Sequence, residues 1–325
     1  MSRFHSIYLL FFAVIALVSC KNDVDINADW KETIVVYGVL DPTDTVQFIR
    51  IEKAFLDEKN SALITAKITD SLYMDSVLAV LKPDNGPEII LYRTLEVTKD
   101  SGIFGNDYNP LWKTSEHIDV DRNYTLEITN LRTGNKIRSN TRTVSPASIS
   151  APVKNANGTF TLFAEYITFE FTPKSNSYAY DVKLELVYDE FLKTDTSNKI
   201  TKIANWNVIT GVPVTPFTLS RNQVPKLAFL QFMAASIKGD SNVYRRVKYV
   251  NITFFGGNQI LADFISVNQP SIGIVQKTAE YTNIEGGYGI FASRCVQPIR
   301  KIKMDLSSVN YIINHPETKH LNFIQ

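Results

Sequence analysis

Between Tyr178 and Asp189 the side chains alternate with a period of two. Tyr178, Tyr180, Val182, Leu184, Leu186 and Tyr188 make an apolar row, and Ala179, Asp181, Lys183, Glu185, Val187 and Asp189 make a mostly charged one. Successive side chains of an extended strand point to opposite faces, so this stretch predicts a strand with one face buried and the other solvated. Ile167, Phe169 and Phe171 against Thr168, Glu170 and Thr172 repeat the pattern, as do Tyr124, Leu126 and Ile128 against Thr125, Glu127 and Thr129. Both read as half-buried antiparallel strands. Thr133-Gly134-Asn135 predicts a hairpin turn into Lys136-Ile137-Arg138. Further strands are expected over 34–40, 46–51, 77–81, 89–92, 160–163, 248–255 and 299–304.

Helical signals are fewer and fall late in the chain. Pro225 at a first-turn position predicts a helix from Lys226 to about Ala235, Asn258 can cap a helix over 259–267, and a short one fits between Ser307 and Pro316. The fold class expected is therefore mainly β, as two β-sandwich-like domains, the second with two or three short helices. Ser145 to Pro152 holds three serines and two prolines and interrupts the strand pattern. It places the boundary between a first domain over 32–147 and a second over 148–325.

The amino terminus carries an address. Arg3 precedes an apolar run from Ile7 to Val18, and Leu17-Val18-Ser19 leads into Cys20. A membrane-spanning helix needs about 20 apolar residues, and this run reaches only about 18 Å at 1.5 Å per residue. It reads as a signal peptide over 1–19. Leu-Val-Ser-Cys resembles the lipobox of bacterial lipoproteins, which implies lipidation of Cys20; the competing reading is a secreted protein with an incidental cysteine. Residues 20–31 are polar and acid-leaning, a tether between lipid and domain. Lys21, Asp23 and Asp25 partly resemble the surface-export signal of Bacteroidota lipoproteins, which favours surface display over the periplasmic face of the outer membrane.

Loss of Arg3 with the signal leaves 33 basic against 33 acidic residues. Bulk charge therefore argues for neither nucleic acid nor acidic lipid as a partner. With Cys20 acylated, Cys295 has no partner for a disulfide and reads as a small buried apolar residue. Stability must come from the core, for which 44% apolar residues suffice.

Cys20 with its acidic tether, Ile34-Val-Val-Tyr-Gly-Val-Leu40, Gly102-Ile-Phe104, Tyr124-Thr-Leu-Glu-Ile128, Gly134, Thr141-Arg-Thr-Val-Ser-Pro146 and the glycine-rich Thr282–Ser293 segment together resemble a Bacteroidota envelope lipoprotein family of unknown function. The resemblance implies an amino-terminal immunoglobulin-like β-sandwich over 32–147 and a setting beside outer-membrane transport or assembly machinery. It brings no activity with it.

Constellations that could carry chemistry are incomplete. Asp23, Asp25 and Asn27 open like a calcium loop, but Ala28 and Ile34 stand where glycine and a bidentate acid belong. His315, Glu317 and His320 are interrupted by Pro316, so no metal site is expected. Gly286-Gly287-Tyr288-Gly289 lacks the lysine and hydroxyl of a phosphate loop and leads into a strand; it reads as a turn or bulge requiring positive φ. No G-x-S-x-G elbow exists, and His5, His117, His315 and His320 are the only histidines. A carboxylate pair that meets only in the fold stays open. The chain is expected not to be an enzyme and to need no cofactor.

Tyr108, Trp112, Trp206, Tyr244, Tyr281 and Tyr288 fall in polar, loop-like stretches, where an exposed ring is a candidate contact for glycan or protein. Asp44-Thr45-Val46, Asp70-Ser71-Leu72 and Asp75-Ser76-Val77 resemble the Bacteroidota O-glycosylation sequence. The leading expectation is a non-enzymatic binding or accessory subunit of an outer-membrane complex, partnered by the membrane through its anchor and by an outer-membrane β-barrel protein. The alternative is a surface glycan-binding lipoprotein. Nucleic acid is not an expected partner.

Overall fold

A computed structural model describes residues 33–54, 72–74, 76–99, 108–155, 157–269 and 280–325. The fold is mainly β, with sixteen strands and three α-helices among these residues. The signal peptide, Cys20, the tether with Asp23, Asp25 and Asn27, and Gly102–Phe104 lie outside them.

The first seven strands are β1 (Ile34–Leu40), β2 (Gln47–Lys53), β3 (Val77–Pro83), β4 (Ile89–Thr94), β5 (Leu111–Thr114), β6 (Asn123–Asn130) and β7 (Lys136–Arg142). Strand β4 changes partners along its length: residues Ile89–Leu91 pair with β3, and Tyr92–Thr94 pair with β5. Such a switch folds one ribbon of strands into two facing layers. Ile34, Val36, Ile49, Ile51, Leu126 and Ile128 alternate with half-buried or exposed neighbours and, with Leu81, fill the space between the layers. The β6–β7 hairpin turns through Thr133-Gly134-Asn135, with the Gly134 amide donating to the Asn130 carbonyl at 2.8 Å.

The second group comprises β8 (Ser148–Ala151), β9 (Thr159–Phe160), β10 (Tyr166–Thr172), β11 (Ala179–Leu192), β12 (Asp195–Pro213), β13 (Ser220–Pro225), β14 (Val243–Gly257), β15 (Tyr288–Met304) and β16 (Phe323–Ile324). Its helices are α1 (Lys226–Ser236), α2 (Gln259–Val267) and α3 (Leu306–Asn314). Strands β13, β10 and β8 form a small separate sheet. The inward rows of β10 and β11 meet in a second core, where Phe171 lies 4.6 Å from Tyr180 and 5.6 Å from Phe254, ring centre to ring centre. Phe229, Leu230 and Met233 of α1 close it.

Strand β15 joins the two cores. Residues Tyr288–Ser293 pair in parallel with β1, and Arg294–Ile302 pair antiparallel with β14, so one large sheet runs from β12 to β7. Ile284, ahead of β15, and Phe291, within it, pack in the first core although they are some 150 residues later than the rest of it. Glu285 exchanges two backbone hydrogen bonds with Arg138, which covers the β7 edge. Thr33–Gln325 thereby form one compact unit.

Candidate functional site

The aromatic residues singled out by their polar sequence surroundings are mostly committed to packing. Trp112 is not a loop residue but the second residue of β5, 2% exposed in the first core, so it offers no ring to a ligand. Trp206 lies in β12, half-buried, stacked on Phe232 of α1 at 5.3 Å and 8°. Tyr244 lies in β14 with its ring against Phe191 and the Lys193 ammonium 4.8 Å above it. Tyr108 packs edge-on to Tyr73, and Arg93 covers its ring and bonds its hydroxyl. Tyr281 stands edge-on to Phe264, and its hydroxyl pKa is raised by burial and by the charge of Asp263. Tyr288 alone of the six is freely exposed, at 52%.

The titratable clusters are likewise satisfied locally. His315 uses Nδ1 to accept the Glu317 amide and lays its ring on Tyr311. Beside His117, Arg122 bonds both Asp84 and Asp119 and lines an open depression with them. Among the described residues no group of three His, Cys, Asp or Glu side chains is placed to hold a metal ion. Gly286 and Gly289 adopt φ of +79° and +104° and lead into β15, as a turn into a strand requires.

A cleft of about 690 Å³ opens at the junction of the two cores. It is lined by α2, by the ends of β11 and β14, and by the last residues of β12. The register pairs Ala179 with Gly257 and Asp181 with Phe255, which puts all four on the sheet face opposite Tyr180. Across that face lies α2. Its approach depends on Gly257, where a Cβ would sit 3.2 Å from the Leu261 side chain.

Asn258 fixes where α2 begins. Its side-chain oxygen accepts the Leu261 amide at 3.1 Å, the ordinary N-cap bond. Its amide nitrogen donates to Thr141 Oγ1 at 2.9 Å and the Arg142 carbonyl at 3.2 Å, and its backbone N–H to the Ser293 carbonyl at 3.0 Å. Helix, β7 and β15 are thus tied through one buried residue. None of the apolar residues of α2 is fully buried, although Ile260, Leu261, Phe264, Ile265 and Val267 make up most of the helix.

The cleft surface combines apolar groups from Tyr178, Val214, Phe255, Leu261 and Ile265 with polar groups from Asp181, Gln259, Asp263 and Arg294. Asp181 accepts the Gly211 amide at 2.5 Å, and Asp263 accepts Gln259 Nε2 at 2.6 Å. Neither carboxylate has a cationic partner among the described residues, whereas Arg294 is engaged with Asp41 at 3.5 Å. No histidine or cysteine lines the cleft. The alternation predicts Asp181 on a solvated strand face and the cap residue predicts Asn258 at a helix start, but nothing in the sequence joins these residues, 77 positions apart, into one surface. No family model and no curated protein matches this chain.

Proposed function

We propose that this protein is a lipid-anchored envelope lipoprotein that acts as a non-enzymatic binding or accessory subunit beside an outer-membrane β-barrel protein. The observation that carries the reading is the cleft at the core junction. Ligand sites are concave, mostly apolar and furnished with a few polar groups that fix orientation, and this one has that composition. Its polar members are carboxylates, an amide and a guanidinium held by local hydrogen bonds, groups suited to recognition.

The anchor is supported by the Leu17-Val18-Ser19-Cys20 sequence. Among the described residues no helix is long and apolar enough to cross a membrane. From Cys20 to Thr33 an extended chain reaches at most roughly 45 Å. That span keeps the body close to the bilayer and to proteins embedded in it, which raises the effective concentration of even a weak partner.

Two measurements test the reading. Growth with an alkyne-bearing palmitate analogue should label the wild-type chain and leave Cys20→Ala unlabelled. Mild detergent extraction should recover the wild-type chain with a stoichiometric barrel protein. An unlabelled wild-type chain removes the anchor, and repeated recovery of the chain alone removes the accessory role.

A further inference from the structure

We infer that the cleft takes an extended peptide segment whose aliphatic or aromatic side chains are flanked by lysine or arginine. The inference rests on reading the cleft as the binding site and adds the chemistry of its occupant.

Three observations select that chemistry. First, Tyr178, Val214, Phe255 and Ile265 line the cleft while only partly buried, so an apolar group entering it removes further apolar surface from water. Second, the charge at the cleft is unbalanced. Among the described residues Asp181 and Asp263 have no cationic partner, and Arg294, the cation lining the cleft, is engaged by Asp41. A ligand bearing positive charge completes the pairs, and one bearing carboxylates meets like charge at both.

Third, the cleft is bordered by Thr210, Gly211 and Pro213 at the end of β12, the terminal strand of the large sheet. No strand among the described residues covers the outer edge of β12, whereas the β7 edge at the opposite end is bridged by Glu285. An open sheet edge beside an apolar cleft favours a polypeptide over a compact amphiphile. At the cleft itself the Gly211 amide is taken by Asp181 and Pro213 has no N–H, so an extended segment pairs along the edge upstream of Thr210 and carries its following side chains into the cleft.

The test is fluorescence anisotropy with the full mature chain in neutral phosphatidylcholine nanodiscs, with empty nanodiscs as the blank. The probe is a labelled Lys-Leu-Phe-Leu-Lys peptide, compared with Glu-Leu-Phe-Leu-Glu, Lys-Ser-Gly-Ser-Lys and the oligosaccharide cellohexaose as competitor. Saturable binding of the first peptide is expected, at least tenfold tighter than either other peptide and undisturbed by the sugar. The double variant Asp181→Asn, Asp263→Asn keeps both acceptor oxygens for Gly211 and Gln259, and should weaken binding at least tenfold. Ile265→Lys, at a side chain 47% exposed, places a cation in the cleft without disturbing a core position and should also abolish binding. Circular dichroism melting checks that both variants fold.

Equal binding of the glutamate-flanked peptide, unchanged affinity in the folded double variant, displacement by cellohexaose, or no saturable binding of any probe overturns the inference. None of these outcomes bears on acylation at Cys20 or on recovery with a barrel protein, so the two readings fail separately.

Discussion

Glu190 and Arg245 are directly opposite each other across the β11–β14 pair, with carboxylate and guanidinium 2.7 Å apart and the arginine side chain 3% exposed. Arg245 also donates to the Leu321 carbonyl at 2.6 Å and to the Lys238 carbonyl at 2.8 Å. One buried cation thus holds the end of α1 and the C-terminal segment to the sheet.

Breaking this pair from the acidic side leaves the guanidinium buried without its counter-charge, a loss of about 3–5 kcal/mol. Glu190→Gln should therefore lower the urea midpoint by more than any exposed Lys-to-Gln change. Glu190 also carries a pH signature. Burial alone would raise its pKa, but hydrogen bonds from Lys202 and Arg245 outweigh that and hold it below the ordinary glutamate value. A depressed folded pKa means stability that is present above the unfolded value and lost as pH falls through the folded one. Wild type should lose stability on acidification below about pH 4.5, the unperturbed glutamate value, and Glu190→Gln should lose less. Equal acid sensitivity in both would show that Glu190 does not supply it.

Gly289 tests the joint between the cores. It stands opposite Val36 in the parallel β1–β15 pairing at a φ of +104°, and a Cβ there would lie 1.9 Å from the Val36 carbonyl oxygen. A side chain cannot be accommodated without parting the two strands. Gly289→Ala should cost at least about 2 kcal/mol, and hydrogen exchange should show lost protection along β1 and the first residues of β15 before it reaches β11. Unchanged exchange along both segments would mean that β1 and β15 are not paired as described.

Much of this architecture could be read from residue order, and what could not has a physical cause. The apolar row of β11 is buried from Tyr180 to Tyr188 because a half-buried strand encodes its own inward face. Tyr178, which heads that row in the sequence, lies just outside the strand and is exposed. Strand β12 gave no signal because its first nine residues are exposed on both sides and need no alternation. Helix α2 was legible through Asn258, since a cap is a local bond. Trp112 was misread because its flanks, Leu111 and Lys113, do not reveal that β5 lies between β2 and β4. The cleft was invisible because its two carboxylates line one surface only through the β11–β14 register and the placement of α2.

Cys295 gives a test on the alkaline side. The thiol is wholly buried, and burial pushes its pKa up to about 11. Burial likewise raises the neighbouring Tyr180 hydroxyl well above its ordinary value. Both groups are neutral when folded; the thiol's contribution is full below its unfolded value of about 9 and is lost as pH rises through about 11, and that of Tyr180 begins to be lost only above its own unfolded value of about 10. At pH 8 the native chain should not react with Ellman's reagent. In urea it should release one equivalent if Cys20 is acylated and two if it is not. Rapid reaction of the native Cys20→Ala chain would place the Cys295 thiol at the surface.

Asn258 should reverse the usual preference among helix caps. At an exposed N-cap, aspartate serves about as well as asparagine, because both offer an oxygen to the first turn. Asn258 is 2% exposed, and its amide nitrogen faces the Arg142 carbonyl and the Thr141 hydroxyl. The hydroxyl can turn to donate to a carboxylate, but the carbonyl cannot. Asn258→Asp therefore keeps the bond to Leu261 while setting a buried negative charge against an acceptor. Asn258→Ala loses the cap and leaves the Arg142 carbonyl without that donor, about 2 kcal/mol in all. The aspartate variant should be less stable than the alanine variant at pH 8. Its folded carboxyl is raised above the unfolded value of about 4, so the deficit shrinks as pH falls and the group takes up a proton. Urea unfolding of the three chains at pH 5 and pH 8 checks this. An aspartate variant as stable as wild type at both values would mean that the Asn258 nitrogen makes no contact with β7, and that α2 is held over the cleft by its apolar face alone.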